Sequence, residues 1–218
     1  MSNFLVMALC ITSTGCLQEK QDAAIADLPA DVIAFQEWAN THDSVGFTTK
    51  DEMPLSSLAD VERLWYGGPD RPGVTPISLA PIAVLTGLKA LSLRRIHSHD
   101  LSPIGELTGL EELWISNSVV KEDDLSFLSD LWNLKALSLW NVELTKLPPM
   151  AALKQLEKLR IVYRSKSKIH TKLSDVSTIG DLSNLKLLTI EDCPVSELPV
   201  AGLSKLEMLR VNGTDVVD

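Results

Sequence analysis

The sequence predicts an α/β solenoid, a right-handed superhelix with a parallel β-sheet on its concave side and short helical or 3₁₀ turns on its convex side. Three observations carry this. The frame L-x-x-L-x-x-L-x-[LIV] is written six times, from Leu85, Leu107, Leu131, Leu153, Leu182 and Leu203, at spacings of 22, 24, 22, 29 and 21 residues. A period of that size marks stacked repeats rather than one compact core. Each frame closes on a pair with the two-residue period of a strand. Between frames a second pattern recurs: Leu79 to Leu85, Leu101 to Leu107, Leu125 to Leu131 and Val176 to Leu182 fill the same slots.

Leucines three apart also suit a helix, so the alternative needs excluding. At about 100° per residue, Leu85, Leu88, Leu91 and Leu93 spread over roughly 200°, wider than the apolar stripe of a core-facing helix. A turn feeding a short strand puts all four inside. In the outer segments Ser102 precedes Pro103, which predicts an N-cap with proline at the first helical position.

The first 16 residues predict an export signal. Phe4 to Ile11 is apolar and leads into Thr12-Ser13-Thr14-Gly15-Cys16. That stretch is too short to span a bilayer, which takes about 20 residues, and Ser13 and Gly15 are small enough for a signal peptidase. The Gly15-Cys16 junction resembles the lipobox of bacterial lipoproteins, which implies a signal peptide over 1–15, a lipid on Cys16 holding the protein to a membrane, and a polar tether over 16–28. Ser13 stands where that family usually has leucine, and no Lys or Arg precedes Lys20. A plain secretory signal, giving a secreted or periplasmic protein, and a cytosolic start are the alternatives.

Residues 29–54 are expected to cap the solenoid. Val32, Phe35 and Trp38 recur at helical spacing in Asp31 to Asn40, with Trp38 read as core. The repeat domain then runs over 55–218: a degenerate unit on Leu58, Val61, Leu64 and Tyr66, a loop from Gly67 to Pro76, and six full repeats. Seven residues follow Val211 and carry no cap pattern; Asp215 and Asp218 oppose edge pairing there.

The repeats resemble leucine-rich repeat proteins of the 22-residue class, which includes internalins and phosphatase-regulatory repeat proteins, over residues 55–218. The resemblance implies a binding scaffold with no chemistry of its own. It also implies an asparagine three residues after the last core strand position. Here that slot holds Ile96, Ser118, Val142, Arg164, Cys193 and Thr214, so the buried asparagine ladder is expected to be largely missing. Cys193 is expected to be buried and inert.

Strand alternation gives the outward positions. One row is Trp65, Ser92, Trp114, Ser138, Arg160, Thr189 and Arg210; the next is Gly67, Arg94, Ser116, Trp140, Val162, Glu191 and Asn212. Trp65, Arg94, Trp114, Ser116, Trp140, Arg160 and Arg210 are the candidate ligand-binding residues on the concave face. Trp114, Arg94 and Trp140 fall on neighbouring rungs, the kind of group found in binding hot spots, with Arg94 able to stack on the indoles. The alternative is that the tryptophans merely pack on one another.

Other classes are poorly supported. A net charge of −9, from 29 acidic and 20 basic residues, argues against nucleic-acid binding. Three cysteines make no disulfide framework. His97-Ser98-His99-Asp100 has no second ligand cluster at metal spacing, and Lys121-Glu122-Asp123-Asp124 lacks the glycine of a calcium loop. With no nucleophile–base motif and no phosphate-binding glycine loop, no enzyme activity, cofactor or metal is expected. The fourth full unit is longer by seven residues and basic, with Arg164, Lys166, Lys168, His170 and Lys172; it is a solvated loop or a dock for an acidic surface. The expected function is a lipid-anchored cell-envelope scaffold binding a protein or peptide on its concave sheet. Self-assembly of a surface protein, and a cytosolic regulatory subunit if the signal is not real, are the alternatives.

Overall fold

The computed structural model describes residues 28–40, 45–53, 55–68, 78–96, 100–120, 122–164 and 172–216. The signal, Cys16 and most of the tether lie outside the described residues. So do His97 to His99, Lys121, Lys166, Lys168, His170, Asp218 and the loop from Pro69 to Pro76.

A helix, α1 (Ala30–Asn40), precedes eight strands: β1 (Val45–Thr49), β2 (Val61–Gly67), β3 (Ala90–Arg94), β4 (Glu112–Val119), β5 (Ala136–Glu143), β6 (Lys158–Val162), β7 (Leu187–Glu191) and β8 (Met208–Asn212). They form one sheet in sequence order. β1 pairs antiparallel with β2, and every later pairing is parallel. A 3₁₀ turn at Leu58–Asp60 precedes β2, and crossovers between parallel strands carry 3₁₀ turns at Ala80–Ile82, Ser102–Glu106, Glu122–Asp130 and Ser177–Asp181. The α/β solenoid read from the repeats is the fold.

Register turns the frame into layers. Leu64, Leu91, Leu113, Leu137, Leu159, Leu188 and Leu209 align as one row. Tyr66, Leu93, Ile115, Leu139, Ile161, Ile190 and Val211 align as the next. All are buried except those of β8, where Leu209 is 47% exposed. Each rung therefore covers its neighbours, and the last described rung is covered on one side only.

Two local expectations are corrected. The cap is not helical throughout: after Asn40 the chain adds β1 to the sheet edge, and Phe47 sets its ring against Phe35 of α1, centroids 5.2 Å apart. A five-residue strand containing a glycine gives little periodicity to read. Ser102 does not cap its turn; Asp100 Oδ1 accepts from the Ser102 N–H at 3.0 Å. Asp175 Oδ1 does the same for Ser177 at 3.0 Å; the Ser102 hydroxyl and N–H hold the Asp100 carboxyl below its usual range, and the Ser177 N–H and hydroxyl do so for Asp175. Short polar side chains close such turns two residues upstream.

The slot three residues after the last core position holds no asparagine, as expected, and a single Asn–Asn bond lies one residue earlier. Two positions after the last core residue of a strand, Arg95, Asn117, Asn141, Asp192 and Gly213 have φ between 50° and 61°. Asn, Asp and Gly tolerate that left-handed region best. From it Asn141 Nδ2 donates to Asn117 Oδ1 at 2.9 Å, and Asn141 Oδ1 accepts from the Arg164 N–H at 2.8 Å. One position later, Ile96, Val142 and Cys193 are buried as apolar fill, while Ser118 Oγ accepts from the Ile96 N–H at 3.0 Å.

Burial pushes the Cys193 thiol up to about 12, with the Asp192 carboxylate adding to the shift. Below pH about 9 the thiol is protonated in both folded and unfolded chains. Above it only the unfolded chain ionises, so this group favours unfolding as pH rises from about 9 towards about 12. Denaturant melts at pH 7.5 and 10.5 are expected to show a smaller alkaline loss of stability in Cys193→Ala than in the parent.

Gly87 and Gly109 occupy one frame slot on successive rungs but differ in room. A Cβ on Gly87 would fall 1.9 Å from the Ala59 carbonyl oxygen, whereas on Gly109 its nearest neighbour is 3.4 Å away. Gly87→Ala is expected to destabilise the fold by about 1–3 kcal/mol through overpacking. Gly109→Ala is expected to be neutral or slightly stabilising. Urea melts of the two variants check the contrast.

Candidate functional site

The concave strand positions of β3, β4 and β5 shape an open groove of about 480 Å³. Its walls are Trp114 and Trp140, its polar lining is Ser92, Arg94, Ser116, Asn117 and Ser138, and Ile115 also contributes. Register explains the gathering. Trp114 stands between Ser92 and Ser138, and Trp140 lies beside Ser116, which pairs in turn with Arg94. Serines flank Trp114 on both sides, Ser116 and Val162 flank Trp140, and both indoles are partly exposed.

Four of the seven candidate residues line this groove: Arg94, Trp114, Ser116 and Trp140. The other three do not. Trp65 is on β2 and turns its ring over Gly46, where an added Cβ would sit 2.2 Å from the indole. Arg160 and Arg210 are exposed on β6 and β8 and continue the Trp114 row towards the C-terminal end. Two positions expected to face outward are buried, Val162 at 2% and Thr189 at 4% exposed. Thr189 lies in register between Arg160 and Arg210, a short side chain between two long ones.

The arginine that stacks on an indole is Arg164, not Arg94. Its guanidinium carbon lies 5.2 Å from the Trp140 ring centroid, within cation–π range. Asn141 holds its backbone there by accepting from the Arg164 N–H. In sequence Arg164 reads as the first cation of a basic loop; only the Asn141 contact links it to the Trp140 strand.

A charge ladder along one border of the sheet escaped the sequence reading. The residue opening each strand's approach alternates in sign through Glu62, Lys89, Glu111, Lys135, Glu157, Lys186 and Glu207. Each backbone N–H from Lys89 onward donates to the carbonyl of the preceding member at 2.8–2.9 Å. Lys135 Nζ reaches Glu111 at 2.7 Å and Lys186 Nζ reaches Glu157 at 3.0 Å, holding both carboxyls below their usual range. Exposed pairs of this kind stabilise little. Their consequence is near-cancellation, four glutamates against three lysines, so this border adds little net field to the groove. Strict alternation at the fifth position of the frame is the signal that could have found it.

Among the described residues no three His, Cys, Asp or Glu side chains gather where they could hold a metal ion, and no described helix is long and apolar enough to cross a membrane.

No protein-family model matches the chain, and no curated protein does. Solved structures do. An internalin of Listeria monocytogenes is 28% identical with a TM-score of 0.51, over 63% of this chain and 38% of that one. Internalin C2 of the same organism is 28% identical with a TM-score of 0.51, over 62% and 56%. A leucine-rich repeat protein of Leptospira interrogans is 27% identical with a TM-score of 0.53, over 65% and 35%. The chain thus spans between about a third and just over half of the length of these proteins. With the parallel rungs, the layered leucines and these neighbours together, the chain has the fold of a leucine-rich repeat protein.

Proposed function

We propose that this protein is a non-enzymatic scaffold, held at the cell envelope by a lipid on Cys16, that binds a protein through an extended peptide segment laid on its concave sheet. The observation that carries the reading is the groove across β3, β4 and β5, lined by two partly exposed indoles together with serines and an arginine. Aromatic and arginine side chains on a rigid sheet bind at little ordering cost. The internalin and leucine-rich repeat neighbours support a repeat scaffold in this role.

Selection of a displayed peptide library on the full-length protein tests the binding reading. Selected peptides are expected to bind the parent with one-to-one stoichiometry and to compete with one another for one site. Peptides that bind equally well after Trp114→Ala and Trp140→Ala would remove the groove from the account. The anchor has its own test: labelled palmitate is expected in the protein expressed in a bacterial host and absent from Cys16→Ser, and label retained in that variant contradicts it.

A further inference from the structure

The binding reading above leaves the chemistry of the peptide open, and the charges on the concave ribbon narrow it. The outward strand positions carry Arg63, Arg94, Lys158, Arg160 and Arg210 against Glu112, Glu191 and, at the far end of β5, Glu143, five basic and three acidic, on a chain whose net charge is −9. Arg63 is engaged by Glu112 at 4.0 Å. Among the described residues no ion pair engages Arg94, Lys158, Arg160 or Arg210. The border ladder, four glutamates against three lysines, adds no positive charge, so the basic field belongs to the ribbon itself.

These cations are also ordered. Trp114, Ser138, Arg160, Thr189 and Arg210 share one register line, so Arg160 stands two rungs beyond Trp114 and Arg210 two rungs further. Strands lie about 4.8 Å apart, which makes each two-rung step about 9.6 Å. A polyproline II chain rises about 3.1 Å per residue with three residues per turn, so every third side chain returns to the same face after about 9.3 Å. A β-strand returns every second residue, after about 6.7 Å, and falls out of step.

We infer that the ribbon takes an acidic peptide in polyproline II conformation, running across the rungs, with an aromatic or large apolar side chain in the Trp114–Trp140 groove and carboxylates three and six residues away, at Arg160 and Arg210. Arg94 and Arg164 border the aromatic end; Lys158 borders the first carboxylate. The inference rests on the peptide-binding reading and adds charge, spacing and conformation to it.

The test uses fluorescein-labelled nonapeptides and the full-length protein, read by fluorescence anisotropy at low salt. The probe has one tyrosine with glutamates three and six residues on, in a proline-rich background, and is also made in reverse order. Controls carry glutamine or lysine for glutamate, or move the glutamates to two and four residues from the tyrosine. In one order or the other, the three-and-six peptide is expected to bind at least 10-fold more tightly than every control, with the advantage shrinking as salt rises. The double variant R160E/R210E is expected to lose that advantage and favour the lysine peptide, at an unchanged melting temperature. Equal binding of glutamate and glutamine peptides, still dependent on Trp114, overturns the acidic inference and leaves the peptide reading standing. Tighter binding of the two-and-four peptide overturns the conformation. No binding by any probe, while library-selected neutral peptides bind, overturns the inference alone; failure of the library as well removes the reading beneath it. A protein that dimerises through this face, with R160E/R210E monomeric, assigns the ribbon to a second copy and also overturns the inference.

Discussion

Leu137→Ala is expected to lower the unfolding free energy by about 2–5 kcal/mol, the range for truncating a buried leucine. Leu137 is 1% exposed at the middle of the solenoid, in register between Leu113 of β4 and Leu159 of β6. The cavity therefore opens against both adjoining layers. In a solenoid each rung touches only its neighbours, so a lesion here uncouples the two halves. Leu209 holds the same frame position on β8 but is 47% exposed, and Leu209→Ala is expected to cost less than about 1 kcal/mol. Guanidinium melts of both variants check the contrast; similar losses would mean that Leu209 is covered in solution.

The second large effect is on binding. Replacing Trp114 and Trp140 together by alanine is expected to weaken library-selected peptides by at least about 30-fold, because truncated hot-spot aromatics typically cost about 2 kcal/mol or more. Neither indole belongs to the buried layers that join the rungs, so the melting temperature is expected to fall far less than in Leu137→Ala. Arg164→Ala should give a smaller loss, about 0.5–1 kcal/mol, since its contact is one cation–π pair on Trp140. Isothermal titration paired with thermal melts separates the cases: a double variant as unstable as Leu137→Ala makes the tryptophans scaffold.

Much of the fold was legible because a buried layer repeats itself. Leu91, Leu113 and Leu137 recur in one slot since each must cover the next, and a pattern repeated six times is hard to misread. Trp114 and Trp140 followed from alternation alone, as the side chain opposite a core leucine has to point outward. What escaped depends on single contacts. Gly46 turns Trp65 away from the groove because an absent side chain leaves room for a ring, and no pattern announces room. The bond between Asn117 and Asn141 lies one residue before the family's asparagine slot because the left-handed backbone sits there, a matter of φ rather than polarity. The Glu–Lys border is written in the sequence, but its members stand 21 to 29 residues apart. They meet only after the coils stack.

The account centres on the groove between Trp114 and Trp140, and fluorine NMR observes it directly. With 5-fluorotryptophan incorporated and the five resonances assigned by single Trp→Phe variants, a library-selected peptide is titrated in. Shifts confined to Trp114 and Trp140, with Trp38 and Trp132 unmoved, are the predicted result. Unmoved signals from Trp114 and Trp140 at saturating peptide would contradict it.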